Sequence, residues 1–449
     1  MKMKTVREVA LDVLLQIEKN QAYSNLLLNQ TVQKSNLDPR DVGLLTEIVY
    51  GTVQRRDTLD FYLEPFIKKG KKKLEDWVLV LLRLSLYQMV YLDRVPDRAI
   101  VHEAVTIAKR RGHQGISGMV NGVLRNIRRQ ELRSFDEIKD ETSRLAISTS
   151  HPLWLVKRLI KQYGTEVAEQ ICLTNLQPPQ VTVRVNQTKV TVDEAMELLQ
   201  GEGVDVERGH LSDDALIIKK GNVTHTNAFQ NGIFTIQDES SMLVARALGL
   251  KEGMNVLDCC AAPGGKSTHL AERMNDNGRV VALDLHEHKV KLIDQLSNRL
   301  DLKSVQGMAM DARLASSHFE NESFDAILVD APCSGLGVIR RKPDIKWTKN
   351  AKDIEAIQKI QKEILTAVVP LLKQGGRLVY STCTIDNSEN EEMIQWFLDH
   401  FNEFTMDPSL NDRLPDHVSI NVEMNEGSLT ILPHHFQTDG FFITSMIKR

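Results

Sequence analysis

The chain has 449 residues, long enough for two or three domains, with 42% hydrophobic residues and a net charge of −4. No stretch reaches 18 apolar residues and Met1-Lys-Met-Lys runs into charged sequence, so neither a transmembrane helix nor a secretory signal is expected. Five cysteines, with no CxxC pair and no Cys/His cluster at zinc spacing, exclude a disulfide framework and a metal centre, and point to reduced thiols in the cytoplasm.

The first third reads as helical. Val6, Val9, Ala10, Val13, Leu14 and Ile17 recur at helical spacing, as do Val42, Leu45, Ile48 and Val49. Pro65, Gly70, Pro96, Gly112, Gly115 and Gly118 are expected to cut the segment into short helices. Residues 78–92 are apolar except for Arg83, Ser85 and Gln88, as a buried central helix would be. Residues 1–130 hold 22 Lys and Arg against 14 Asp and Glu, an excess of eight on a chain that is otherwise acidic. A basic helical module on an acidic body suits nucleic-acid binding, the bland alternative being a solvated surface. Its candidate phosphate contacts are the lysine run of residues 68–73, Arg110 with Arg111, and Arg125, Arg128 and Arg129.

Next, His151-Pro-Leu-Trp-Leu opens a helix and Pro178-Pro179 marks a break. Gln180-Val-Thr-Val-Arg-Val-Asn186 alternates as a strand, residues 191–199 read as a helix, and 215–218 and 232–236 as two further strands. This β-α-β-β order over about 85 residues predicts a small α+β subdomain that helps grip RNA, with Arg184 and Asn186 as ordinary exposed residues.

The C-terminal half reads as an α/β sheet. Met254-Asn-Val-Leu-Asp258 is strand-like and leads into Cys259-Cys-Ala-Ala-Pro-Gly-Gly-Lys-Ser267, with helical sequence over 268–274. Gly264 and Gly265 let the backbone approach a ligand closely. The next strand, Arg279-Val-Val-Ala-Leu-Asp284, ends in a carboxylate 20 residues after Gly264, the spacing at which an acid meets the ribose of a bound nucleotide. Cys260 stands where a phosphate-binding loop needs its first glycine, and no G-x-G-x-x-G occurs, so the ligand is a nucleoside without a phosphate to cradle. Asp311 and Asp330 end two further strand-like runs; for Asp311 helix capping is the equal alternative. Two apolar runs end in thiols: Phe324-Asp-Ala-Ile-Leu-Val-Asp-Ala-Pro-Cys333-Ser-Gly335 and Gly376-Arg-Leu-Val-Tyr-Ser-Thr-Cys383. One such cysteine is ordinarily packing. Two in equivalent positions beyond parallel strands sit where an α/β sheet does its chemistry. Arg340-Arg-Lys-Pro-Asp-Ile-Lys-Trp347 joins basic residues to an aromatic, as an RNA-contacting loop would.

The set Asp-x-x-Ala-Ala-Pro-Gly-Gly-Lys266, Asp-Ala-Pro-Cys333-Ser-Gly and Ser-Thr-Cys383-Thr resembles the Nop2/Sun family of S-adenosylmethionine-dependent RNA cytosine-5 methyltransferases, over about residues 236–449. The helical third, in Arg7-Glu-Val-Ala-Leu-Asp-Val-Leu and Asn121-Gly-Val-Leu-Arg-Asn-Ile-Arg-Arg129, resembles the antitermination factor NusB, which points within the family to the Sun/Fmu (RsmB) branch. The resemblance implies a Rossmann-like α/β methyltransferase domain with a seven-stranded sheet at 236–449, closed by Gly440-Phe-Phe-Ile-Thr-Ser-Met-Ile-Lys448. Before it would come an all-α NusB-like domain at 1–135 and the α+β subdomain at 145–235. It implies that Cys260, Ala261, Ala262, Pro263, Gly264, Gly265 and Lys266, with Asp284, Asp311 and Asp330, hold S-adenosylmethionine. Cys383 would be the nucleophile and Cys333 would help release the product, with no metal. The extra Cys259 is expected to be a small buried residue at the strand end. The implied substrate is one cytosine of small-subunit (16S) ribosomal RNA, transfer RNA being the competitor, and a monomer is expected. A nucleotide-dependent oxidoreductase is disfavoured by the missing dinucleotide pattern. A non-catalytic RNA scaffold is disfavoured by the two thiols, which it would not need.

Overall fold

A computed structural model describes residues 4–20, 24–34, 37–68, 70–422 and 424–449. Met1, Lys2, Met3 and Lys69 of the basic tracts lie outside the described residues. The chain divides into two compact units, Met1–Leu176 with Arg341–Thr348, and Gln177–Arg340 with Lys349–Arg449.

The first unit is helical. Its central helix, Asp76–Tyr91, is buried from Val80 through Gln88 and packs against Val6–Asn20 and Pro39–Gln54. The three polar residues inside it are satisfied locally. Arg83 grips both oxygens of Asp60 (2.7 and 2.9 Å) and Glu18 (2.6 Å), while Ser85 and Gln88 donate to carbonyls one turn back. Gly51 lets Pro39–Gln54 lie directly on this helix, since a Cβ there would fall 1.9 Å from the Tyr87 ring. Gly115 and Gly118 do not break the chain as expected; both lie inside the helix Gln114–Ile127, carried by the buried face of Ser117, Val120, Val123, Leu124 and Ile127. A glycine costs a helix interior only about 1 kcal/mol, which that buried face outweighs.

The segment Arg341–Thr348 belongs to this helical unit. Lys346 is 1% exposed and donates to the carbonyls of Gln54 (2.7 Å) and Ser150 (2.8 Å); Trp347 donates to Val53 (2.8 Å) and lies under Arg56. Lys346 and Trp347 therefore do not offer the RNA-contacting tips that the composition of residues 340–347 suggested, whereas Lys342 stays exposed. The basic and aromatic tips are spent on backbone carbonyls that would otherwise be buried without partners.

The second unit opens with a four-stranded antiparallel sheet of β1 (Val181–Val185), β2 (Asp205–Arg208), β3 (Ala215–Lys220) and β4 (Phe234–Ile236), in the order β2-β3-β1-β4. β2 escaped the sequence reading because only Val206 among its four residues is apolar. The main sheet follows with β5 (Asn255–Asp258), β6 (Arg279–Asp284), β7 (Val305–Ala309), β8 (Phe324–Asp330), β9 (Leu372–Thr382), β10 (Phe404–Met406), β11 (Met424–Asn425), β12 (Ser428–Ile431) and β13 (Phe441–Lys448). Its order is β11-β12-β13-β9-β8-β5-β6-β7, with β10 also on β13. β7, β6, β5, β8 and β9 are parallel and β13 is antiparallel to β9. Among the described residues the sheet thus has nine strands rather than the expected seven, the short β10 and the β11–β12 hairpin extending its β13 edge. Alternate residues bury on opposite faces. Val256, Val280, Ala282 and Leu328 lie in one core and Leu257, Val281, Leu283 and Val329 in the other. Strand order reverses between β5 and β8, so a ligand crevice opens beyond their carboxyl ends.

Candidate active site

The loop after β5 turns on Gly264, whose φ of +104° suits glycine and whose Cβ would press on the Ile293 backbone at 3.1 Å. Gly265 then starts the helix Gly265–Arg273, whose first N–H groups have no partner within the helix. Asp258, at the end of β5, is fully buried, accepts from Ser267 Oγ at 2.6 Å, and is pushed by burial up to about 7, with the nearby Asp330 adding to the rise. Cys259 is 2% exposed, a small residue filling the strand end as expected.

Cys260 marks where the acidic strand ends converge. Burial raises its thiol, and the negative charges of Asp258, Asp330, Asp284 and Asp311 raise it further. Asp284 ends β6 at 8% exposed, accepting from the His286 N–H at 3.2 Å with Lys289 at 3.8 Å. Asp311 caps the turn Ala312–Ser317, and Arg313 clasps both of its oxygens (3.0 and 2.7 Å), which holds its carboxyl below the usual range. Capping, the bland alternative for Asp311, is what its carboxylate visibly does.

At the end of β8, Asp330 accepts from Lys266 Nζ (2.8 Å) and from Ser381 Oγ (2.8 Å) on neighbouring β9. Burial would lower the Lys266 ammonium, but Asp330 raises it, and Cys383 and Asp258 add to that, so it sits above its ordinary value. Beyond β8 and β9 the two thiols meet, with Cys333 Sγ 3.3 Å from Cys383 Sγ. That contact, then burial, holds the Cys333 thiol well above the usual thiol range.

Several residues that shape this site were given no role in it by the sequence. Ser334 and Thr384, each following a site cysteine, share a hydrogen bond at 2.8 Å. Glu389, fully buried, accepts from the Ser334 N–H at 2.9 Å. Arg184 and Asn186, expected on the surface, are both fully buried. From β1, Arg184 reaches Glu272 (2.7 and 2.9 Å), Thr268 Oγ1 (3.1 Å) and the Gly265 carbonyl (2.6 Å), fixing the helix that follows the glycine loop. Asn186 donates to the Leu300 carbonyl at 3.1 Å. An alternating strand puts both residues on one face, and only the tertiary structure reveals that this face is covered. Among the described residues no cluster of His, Cys, Asp or Glu has the arrangement of a metal site, and no helix is long and apolar enough to cross a membrane.

In the helical unit, the candidate phosphate contacts divide. Arg125, Arg128, Arg129, Lys72 and Lys73 are exposed. Arg110 and Arg111 pair with Glu8 and Asp12, and Lys71 is drawn onto Asp60 at 3.0 Å.

Three family models match the chain in succession: the NusB family over residues 4–129, the RsmF/B-like ferredoxin-like domain over 151–224, and the 16S rRNA methyltransferase RsmB/F over 245–447. The probable ribosomal RNA small subunit methyltransferase B of Bacillus subtilis (strain 168) is 54% identical, covering all of both chains. The protein of the same description from Synechocystis sp. is 34% identical over 99% of this chain and all of its own. The crystal structure of PH0851 shares the fold with a TM-score of 0.82 at 27% identity, over 99% of this chain and 98% of that one. With the glycine loop, the acidic strand ends and the paired thiols in place, these likenesses establish that the chain belongs to the RsmB/F family of 16S rRNA methyltransferases.

Proposed function

We propose that this methyltransferase acts on carbon 5 of a cytosine in small-subunit ribosomal RNA, in the cytoplasm and as a monomer, through a covalent adduct on Cys383. The observation that carries the reading is the pair of thiols 3.3 Å apart beyond β8 and β9, beside the Lys266–Asp330 ion pair. S-adenosylmethionine, when bound, supplies the methyl group as a sulfonium. The residues present fit it, because converging carboxylates suit ribose hydroxyls and a cationic sulfur and would repel a phosphate. The loop Cys260 to Lys266, Asp284 and Asp330 would hold it, with Asp311 bracing the adjoining turn.

Carbon 5 of cytosine is a weak nucleophile. The Cys383 thiolate adds to carbon 6, forming a C–S bond and moving the ring electrons so that carbon 5 becomes enamine-like and able to take a methyl group; this is covalent catalysis. Lys266 supplies the positive charge that a thiolate needs nearby. Through Lys266 as donor and Asp330 as acceptor, the ion pair orients the N3 and N4 edge of the base. Release requires that the carbon 5 proton go to a base while the C–S bond breaks and its electrons return to Cys383. Cys333, in contact with Cys383, is placed to take that proton as a thiolate, having released its own proton to solvent once adduct formation removes the Cys383 contact that raises its thiol.

Incubation of each variant with RNA and S-adenosylmethionine, followed by denaturing electrophoresis, tests the roles. Cys383→Ala should form no adduct and no 5-methylcytosine, while Cys333→Ala should accumulate a methylated protein–RNA adduct. An adduct with Cys383→Ala alone would exchange the roles, and full activity in both variants would sink the covalent mechanism. Bisulfite sequencing of 16S and transfer RNA from a deletion strain identifies the substrate; a cytosine lost only from transfer RNA would overturn the ribosomal assignment.

A further inference from the structure

Beneath the two thiols lies a carboxylate that the reaction as described does not use. Glu389 is fully buried, six residues beyond Cys383, and among the described residues no Lys, Arg or His pairs with it. Its partners are all neutral donors. The N–H of Ser334 donates to Oε2 at 2.9 Å, Ser334 Oγ donates to Oε1, and Gln361 Nε2 donates to Oε2 at 3.1 Å. The same Gln361 amide donates to the carbonyl of Pro332 at 2.9 Å, and the Tyr380 hydroxyl donates to the Glu389 carbonyl at 2.7 Å. Both residues that flank Cys333 are therefore tied, directly or through Gln361, to one side chain. A further bond, in which Thr384 Oγ1 donates to Ser334 Oγ at 2.8 Å, links that loop to the residue after Cys383.

Burying a carboxylate without a cation is costly, and an apolar side chain would fill the same space at less expense. Burial does push the Glu389 carboxyl above its ordinary range, against the pull of the Ser334 bonds. A group kept at such cost and aimed at the neighbour of one thiol suggests a task at that thiol. Pro332-Cys333-Ser334 follows the end of β8 without regular structure of its own, so backbone hydrogen bonding alone does not fix where Cys333 Sγ points.

We infer that Glu389 is the positioning residue for Cys333, holding the Pro332–Ser334 turn so that the Cys333 thiol stays against the sulfur of Cys383. This rests on the proposed role of Cys333 in product release. Glu389 does not touch the base. Its loss leaves the nucleophile, Lys266 and the cofactor loop in place, and frees only the turn that carries the releasing thiol. Adduct formation then proceeds and adduct breakdown slows, by up to the roughly 10²–10⁴-fold that a positioned acid or base contributes.

The test is the electrophoretic adduct assay with Glu389→Gln, Ser334→Ala and Cys333→Ala side by side, with calorimetric affinity for S-adenosylmethionine as a check on the cofactor loop. Glu389→Gln keeps the size of the side chain but offers an NH₂ where Ser334 needs an acceptor. The expected result is a protein–RNA adduct that accumulates as with Cys333→Ala, formed at the parent's rate, with cofactor affinity unchanged. Ser334→Ala, which keeps the N–H bond and loses the Oγ bond, should accumulate less, and it gives the same reading should Glu389→Gln fail to fold. An adduct with Cys333→Ala and none with the other two variants, or a loss of adduct formation itself in Glu389→Gln, overturns the inference and leaves the covalent mechanism standing. No adduct even with Cys333→Ala removes the underlying role of Cys333, and the inference with it.

Discussion

Asp258 is a carboxyl with almost no room for its charge. It has no exposed surface, its strongest partner is the hydroxyl of Ser267, and Asp330 nearby opposes a second negative charge. Its pKa of about 7 in the folded chain lies well above the ordinary aspartate value of about 3.9. Between those values the folded chain holds a proton that the unfolded chain has released. The stability this group contributes is therefore complete below pH of about 4 and is lost as pH rises through about 7. Asp258→Asn, permanently neutral, lacks that loss. The melting temperature of the parent, relative to that of Asp258→Asn, should fall as pH rises from about 5 to about 8. A difference that stays flat would show that Asp258 does not titrate there. At this same scale the sequence was most readable where chemistry demands a residue type beside a strand end, as with Cys333, Cys383, Lys266 and Asp330, which the fold brings together. It was least readable where a polar side chain is buried by something distant in sequence. Glu389 and Arg184 give no local sign of what covers them.

Among the elements, the strands with continuous apolar runs and the helices with clean periodicity were legible from pattern alone, including β5, β6, β8, β9 and the central helix Asp76–Tyr91. The misses have specific causes. β2 is held by pairing with β3 and not by its own residues, and Gln114–Ile127 tolerates its glycines because one face is packed. β1 carries the largest lesson, since its polar Arg184 is the side chain that ties it to the helix Gly265–Arg273. Burial keeps the Glu272 carboxyl above its ordinary range even with Arg184 beside it, so the pair survives on the geometry of its bidentate bonds. Removing one partner of such a pair strands the other charge, which typically costs about 3–5 kcal/mol. Arg184→Met should lower stability toward denaturant by about that much, and adding Glu272→Gln should recover part of it. Equal stability of Arg184→Met and the parent would show that the pair contributes little beyond its volume.

For the whole chain, charge and topology are distributed in ways no single motif announces. The chain leaves its methyltransferase unit after Arg340, gives eight residues to the helical unit, and returns at Lys349. Lys346 and Trp347, basic and aromatic, do their work as internal fasteners there. Candidates for RNA contact must then be sought among basic groups that the fold leaves unspent. In the lysine run, Lys71 is held by Asp60, which Arg83 also grips, so its replacement would disturb the helical core as well as the surface. Lys72 and Lys73 are exposed and carry no such duty. If this unit binds RNA through phosphates, each contact releases counterions, and log K falls with log salt by about 0.7–0.9 per contact. Replacing Lys72 and Lys73 with Gln should weaken RNA binding and flatten the salt slope by about 1.4–1.8, with S-adenosylmethionine affinity and melting temperature unchanged. Lys71→Gln, by contrast, should lower the melting temperature, because it takes a partner from half-buried Asp60. A salt slope identical in the Lys72/Lys73 variant and the parent would make the tract a solvated turn, and would shift the search for phosphate contacts to Arg125, Arg128 and Arg129.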